Sequence, residues 1–562
     1  MYNTAMRSNI LFKADDDQPL SNLPLQAPPV IQNQLNLAIA KLLSTFQTIN
    51  EKKSHTGGST IHVDEIASQI AKMYEKIRKI IDWKEENLLR RSAIERIIKR
   101  GMIGKISNIT FFNTLNLDTF SEEMVLELIR GGHLLNDVIQ KDVVIKVKEI
   151  LTKYLNIIEQ TPFSKADIKR KINFYDWLMA IGACEIEEIL APPLEENALI
   201  EAMTESINQR IVVLPKKSIS PEDQYIQTYI ATYRTLYDLD DSIISYNLLK
   251  KKYSDINAKN IFLIQDELSE QLTHPLRKQF YNTCEKYDTI FTLLEDVLKK
   301  YKDTPVELNN IVVDKQKFRD LITELYNIRH KSLKKRLFKL AVFSTLSVFV
   351  ANWFTFFIVE IPLAHIFYEG FNPLATTIDF FVPSVAMFII VSLIKPPGKS
   401  NLNTLLAVME KYIYTNDDKD IYEIKIKKKK SFITRFIIFL FYFVGCLSSF
   451  WFIAWAFFKA TLPITSVIFD TFTIALNIFA ALVIRNKSRE INVEENTTFG
   501  EFILDIFSLP MAEIGSWLAN KWKEYNVVAV FFNLAVEVPI ISFIGFVENW
   551  RQFIKDKKAD IH

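Results

Sequence analysis

The chain has 562 residues, 49% of them apolar, and its 68 Lys and Arg nearly balance 66 Asp and Glu, a net charge of +2. That balance argues against a chain-wide nucleic-acid footprint, and only 13 glycines argue against turn-rich all-β folds and phosphate-cradling loops. Three widely spaced cysteines (Cys184, Cys284 and Cys446) exclude a disulfide framework and a Cys-based zinc site.

The charge is divided unevenly. Residues 1–328 hold 42 basic and 46 acidic groups, residues 329–562 hold 26 and 20, and every long apolar run falls in the second part. An all-α protein is predicted: a large cytoplasmic helical domain, then a four-helix transmembrane region of two hairpins, then an amphipathic interfacial tail.

Residues 1–30 are polar, carry Pro19, Pro24, Pro28 and Pro29, and lack an apolar h-region, which predicts disorder and no signal peptide. Residues 31–335 predict the cytoplasmic domain. Within a helix predicted over Ile61–Ile98, Ile66, Ile70, Met73, Ile77 and Ile80 recur three and four apart, and Val138–Ile157 and Tyr225–Leu249 repeat the pattern. Ile211–Leu214 is the best strand candidate. From Cys284 the positions Tyr287, Phe291, Leu294, Leu298 and Tyr301 form a heptad seam confined by Pro275 and Pro305, which predicts an intramolecular helix hairpin. Phe318, Leu321, Leu325 and Ile328 then predict a helix running into the first apolar run, able to transmit motion of the domain to the membrane.

The transmembrane domain is predicted over 336–490. Leu340–Val359, Leu374–Ile394, Phe436–Phe458 and Ile464–Ile484 are 20 to 23 residues long, and Asp379 and Asp470 are their only charges. About 20 residues at roughly 1.5 Å rise cross the ~30 Å hydrocarbon core. Lys334, Lys335 and Arg336 precede the first run, and Lys427, Lys428, Lys429 and Lys430 precede the third. The other two loops are nearly free of Lys and Arg: 360–373 has none and 459–463 has only Lys459. Basic flanks stay inside. The prediction is a cell-membrane protein, multi-pass, with both termini cytoplasmic. The two basic clusters are predicted to contact the anionic cytoplasmic leaflet, at about 1 kcal/mol per residue.

Asp379 and Asp470 each lie some six residues into a run from its outer end. An ionised carboxylate at that depth costs a few kcal/mol unless protonated, hydrated or paired. Two readings follow: matched carboxylates that bind a cation or relay protons, or side chains that snorkel outward or pair with Lys459 or His365. Asn477 is the polar residue that continues a path inward.

Residues 491–562 predict a membrane-associated tail. Phe499, Phe502, Ile503, Ile506 and Phe507 share a helical face, and Trp517, Leu518 and Trp522 sit beside Lys521 and Lys523, which suits the headgroup plane. Val527–Val547 is interrupted by Asn533, Glu537 and Pro539 and is read as interfacial or re-entrant rather than a fifth span. Ser508-Leu509-Pro510, Trp517-Leu518, Lys521-Trp522, Val528–Pro539 and Trp550 to Lys558 resemble the tail of multi-pass membrane proteins of unknown function from small-genome bacteria. The resemblance covers about sixty residues; it implies a bacterial inner-membrane setting and brings no activity, substrate or cofactor.

Signatures of chemistry are absent. The seven histidines include no i,i+4 pair, and no Gly-x-x-x-x-Gly-Lys-Ser/Thr, Gly-x-Gly-x-x-Gly or Gly-x-Ser-x-Gly motif occurs. Glu185, Glu187, Glu188, Glu195 and Glu196 flank Pro192-Pro193 and read as a solvated acidic face, with a metal site as the alternative. No enzyme activity, cofactor or nucleic-acid partner is expected. The expected function is a scaffold or docking domain with a protein partner, held at the membrane by two hairpins. The alternative is a small ion or proton transporter or channel using Asp379 and Asp470. Oligomeric state is not readable.

Overall fold

The computed structural model describes residues 35–53, 60–62, 86–103, 116–161, 168–215, 218–253, 255–302, 304–362, 373–394, 396–414, 421–426, 431–459 and 464–492, with 366, 508, 511–517 and isolated positions between 546 and 557. The disorder predicted over 1–30, most of the helix predicted from Ile61, Lys427–Lys430, and the tail stretches Phe499–Phe507 and Val527–Val547 lie outside the described residues.

The described structure is helical, as the periodicity predicted. In chain order it comprises α1 (Leu37–Lys53), α2 (Glu86–Ile103), α3 (Leu117–Arg130), α4 (Asp142–Gln160), α5 (Ile168–Leu190), α6 (Leu194–Asn208), β1 (Ile211–Leu214), α7 (Pro221–Tyr237), α8 (Asp241–Lys252) and α9 (Ile261–Leu272). There follow α10 (Arg277–Glu285), α11 (Asp288–Lys300), α12 (Pro305–Val313), α13 (Lys315–Thr355), α14 (Pro373–Ser392), α15 (Lys399–Ile413), β2 (Tyr422–Lys425), α16 (Phe432–Lys459) and α17 (Ile464–Ser488).

Local chemistry divides three predicted elements. Tyr225–Leu249 is not one helix: Asp238 turns left-handed at φ 48°, and the Asp240 side chain accepts from Ile243 N to start α8. The heptad seam is broken at Lys286 and Tyr287, although Cys284, Phe291, Leu294 and Leu298 are all buried. Ile61 is extended rather than helical, its N–H donating to Ile139 O at 2.8 Å.

Two apolar cores hold the molecule. The first gathers residues of α2–α5 and α7–α9. The second joins α1, α6, β1, α10–α13 and α15 and continues into the apolar helices through Met387, Val391, Ala481 and Ile484. Packing therefore crosses residue 335, the predicted domain limit, without interruption. α13 carries the connection as one 41-residue helix, capped by Asp314 and followed by a π-helical turn at Phe356–Glu360.

The segment between the second and third apolar runs is also built into the N-terminal helical part. β2 pairs in parallel with β1, from Ile211 opposite Tyr422 to Leu214 opposite Lys425, and Leu35 bridges Tyr414. Arg210, buried, donates to Lys411 O at 3.0 Å and lies 3.8 Å from the Tyr412 ring centroid. The C-terminal carbonyls of α15 and the ring face together accommodate a guanidinium that has no carboxylate partner among the described residues.

Among the described residues, three helices are long and apolar enough to cross a membrane, within Lys315–Ile358, Phe432–Lys459 and Ser466–Ser488. The described apolar stretch of α14 is shorter, Phe381–Ser392. Helical residues 511–517 meet the middle of α17. A Cβ at Gly515 would lie 2.6 Å from the Ala475 carbonyl oxygen and 2.7 Å from Phe479 Cβ, an approach that requires glycine.

Candidate intramembrane site

α13, α14 and α17 pack together. On α17, Ser466, Asp470, Asn477, Ala481, Ile484 and Ser488 are all buried. Their spacings of four, seven, four, three and four put them on one helical face. On α14 the buried face is Ser384, Met387 and Val391, and on α13 it is Leu333, Leu337 and Ala341.

Contacts set the relative levels. Ile378 packs in one cluster with Val467 and Ile474, while Asn477 Nδ2 donates to Pro383 O at 3.1 Å. Met387 and Val391 share a core with Ala481 and Ile484, so α14 and α17 run parallel. The Phe349 ring lies 6.1 Å from that of Phe381, and further down Ala341 shares the core with Val391, so α13 is antiparallel to α14. Counting from these contacts, Asn352, Ile378 and Asp470 stand at about the same level. Asp379 follows Ile378 on the backbone, so the two sequence-predicted aspartates are level on neighbouring helices; the Asp379 side chain lies outside the described atoms.

Asp470 is 4% exposed. A carboxyl so enclosed among apolar helices must be neutralised by a proton, a cation or a donor. The seam holds more polar groups than Asn477 alone. Ser384, also 4% exposed, has an Oγ with no hydrogen-bond partner among the described residues, and the enclosed Nδ2 of Asn352 likewise has none. Buried polar atoms of this kind are positions for water or an ion. Pro383 adds an acceptor, because it has no N–H to give to the carbonyl of Asp379 four residues earlier. Beyond Ser384 the seam is apolar: buried Met387, Val391, Ala481 and Ile484 separate it from the polar groups at the far end of α17.

Those polar groups fasten the inner end of α17. Asn401, 1% exposed, donates through Nδ2 to Ile491 O at 2.6 Å and to Tyr326 Oη at 3.0 Å. Thr289 Oγ1 donates to Glu490 O at 3.2 Å, and the Glu490 carboxylate pairs with Arg336. Elements α11, α13 and α15 thus grip two consecutive residues. Of the predicted lipid-contacting residues, Arg336 is engaged by Glu490, whereas Lys334 and Lys335 are exposed with no ion pair among the described residues.

The acidic cluster of α5 and α6 is not the solvated face predicted for it. Glu185 accepts from Lys153 Nζ and Tyr154 Oη, Glu188 from Tyr246 Oη and Lys250 Nζ, Glu187 from Arg90 Nε at 3.2 Å, and Glu195 pairs with Lys302 at 2.9 Å. Among the described residues no three His, Cys, Asp or Glu side chains converge as metal ligands. Burial pushes the Glu187 carboxyl up to about 7, outweighing the pull of Arg90 and Arg91. Its folded value exceeds the usual 4.5, so the stabilisation it links to is complete below pH 4.5 and lost as pH rises through about 7. Glu187→Gln is expected to flatten the fall in Tm across that window; an unchanged slope in the variant would assign the pH dependence to another group.

Sequence reasoning found Asp379, Asp470 and Asn477 and missed Ser466, Ser384 and Asn352. The four- and seven-residue spacing of Ser466, Asp470 and Asn477 was a readable signal; which way Ser384 and Asn352 face was not. No family model matches the chain, and no curated protein or solved structure is similar to it, so nothing in these comparisons bears on the resemblance of the tail.

Proposed function

We propose that this chain is a four-span membrane protein that passes a proton or small cation across the bilayer by binding it at Asp470, with its helical domain on the cytoplasmic side. The observation that carries the reading is the burial of Asp470 in a seam shared with Asn477, Ser384 and Ser466. An intramembrane ionisable residue facing the bundle interior is a functional position by default. The two-hairpin topology has independent support. Strand β1 precedes all the spans, β2 lies between the second and third, and Ile491 follows the fourth; β1 pairs with β2, and Asn401 binds Ile491. Each pair must share one side of the bilayer, so an even number of crossings separates its members. α14, at 20 residues, is about 30 Å long and supplies the second crossing.

Proteoliposomes test the reading. Purified protein must dissipate an imposed pH, Na⁺ or K⁺ gradient faster than protein-free vesicles; three gradients held as in empty vesicles would refute it. A second reading, a docking domain for a protein partner, is favoured by one observation. Leu135, Val138 and Ile145 are exposed to 68%, 58% and 61% within eleven residues of sequence. Full-length protein should then retain a partner that Leu135→Asp and Val138→Asp together release, and equal retention by the variant would remove this reading.

A further inference from the structure

Two of the six Lys and Arg residues between 329 and 339 are held by carboxylates among the described residues. Arg329 is held by Asp296 and Arg336 by Glu490. Lys331, Lys334, Lys335 and Lys339 are different: all four are exposed, and none has an ion pair or hydrogen bond among the described residues. Lys331, Lys335 and Lys339 lie on the face of α13 away from Leu333, Leu337 and Ala341, which are buried in the cytoplasmic core, and Lys334 lies at the edge between the two faces. That outward face does not end at Lys339. It continues at helical spacing through exposed Val342, Phe343, Leu346, Val350, Trp353 and Phe357, so the stripe changes from lysine to apolar at residue 340.

We propose that this stripe is a binding surface for anionic phospholipid, with Lys331, Lys334, Lys335 and Lys339 as its headgroup ligands and Arg336 excluded. The inference rests on the bilayer placement of α13 proposed above and is independent of ion binding at Asp470. Geometry supports it. At about 1.5 Å rise, Lys339 lies about 1.5 Å, Lys335 and Lys334 roughly 8–9 Å, and Lys331 about 13 Å below the start of the apolar run. The headgroup zone is roughly 5–7 Å deep, and a negative surface acts for about 8 Å beyond it, so long flexible ammonium groups on this stretch meet lipid phosphate. The Arg336–Glu490 pair brings Lys487, exposed at the end of α17, to the same level as Lys339. A second copy of the chain would meet the comb with the same positive charge and be repelled. Nucleic acid would have no use for the apolar continuation.

The test uses full-length protein purified in mild detergent, with phosphatidylglycerol, phosphatidylcholine or inorganic phosphate added, and reads Tm and co-purifying phospholipid. Wild-type protein is expected to gain Tm with phosphatidylglycerol and not with the other two. Joint replacement K331Q, K334Q, K335Q and K339Q should remove the gain and weaken anionic-lipid retention by roughly fivefold per lysine. The corresponding four-arginine variant should restore both, which separates loss of charge from loss of fold. Arg336→Gln should lower the starting Tm through the lost Glu490 pair but keep the gain. An equal gain in the four-glutamine variant would overturn the proposal, as would an equal response to phosphatidylcholine or phosphate, or a dimer that depends on the four lysines. Recovery of the chain in the detergent-free soluble fraction would overturn the bilayer placement, and with it both this proposal and the reading of Asp470, whereas a failed lipid response in a membrane-embedded chain would leave the flux measurement as the separate test of Asp470.

Discussion

Asp470→Asn is expected to lower gradient-driven flux by more than about tenfold while leaving Tm unchanged or slightly raised. The two results have one cause. Asparagine keeps the shape of the side chain but can neither release a proton nor present a negative charge to a cation, so the binding step disappears. It also removes an ionisable group from an enclosed site, which relieves a desolvation penalty of a few kcal/mol whenever the carboxylate is charged. A purely structural role would give the opposite pattern, a lower Tm with flux falling only as the protein unfolds. Asn477→Leu supplies the comparison: it abolishes the bond to Pro383 O and should cost stability by about 1 kcal/mol, since interhelical hydrogen bonds in bilayers are worth about that much. Flux through Asp470→Asn equal to wild type would remove the proposed function. Asp379→Asn, one residue beyond Ile378 and level with Asp470, is expected to reduce flux as well if the carboxyls act as a pair.

Asn401→Leu is expected to destabilise the protein by roughly 2–4 kcal/mol and to free the inner end of α17. The side chain is 1% exposed and binds both Ile491 O and Tyr326 Oη, so leucine strands two polar atoms in a dry environment. Removing one partner from a buried bond is the expensive direction of the change, because the survivor keeps its full desolvation penalty. Thermal melting measures the loss, and faster hydrogen exchange at residues 488–492 locates it. Thr289→Val removes a single contact to Glu490 O and should cost less, about 1 kcal/mol. If Asn401→Leu left both melting and exchange unchanged, α17 would be held by its apolar contacts alone. A changed flux in this variant would further show that the grip on Glu490 and Ile491 is felt at Asp470, about four-fifths of the 25-residue helix away.

Some elements were legible because they depend on neighbouring residues only. α13 extends unbroken from the charged Lys315 through the first apolar run to Thr355, as the three- and four-residue periodicity into that run implied. The strand at Ile211–Leu214 was read from four consecutive β-favouring residues, but its partner was not. A two-strand ladder needs a second strand, and Tyr422–Lys425 comes from more than two hundred residues further along the chain. Asp238 and Asp240 were open to reading as a break, and the apolar periodicity on either side concealed it.

The amino-acid sequence by itself determined that the chain is helical, that its long apolar runs are confined to the second part, and that two aspartates are the only charges within them. Each of these is a sum or a period over adjacent residues, which a linear chain carries in full. Tertiary structure alone decided that Arg336 is engaged by Glu490, 154 positions away, while its neighbours Lys334 and Lys335 have no ion pair among the described residues. It alone turned the acidic residues of α5 and α6 into bonded partners of Lys153, Arg90 and Tyr246, and faced Ser384 inward near Asn477. Whether a charge is solvated, paired or enclosed depends on which surface folds against it, and that is set by contacts between segments far apart in the chain.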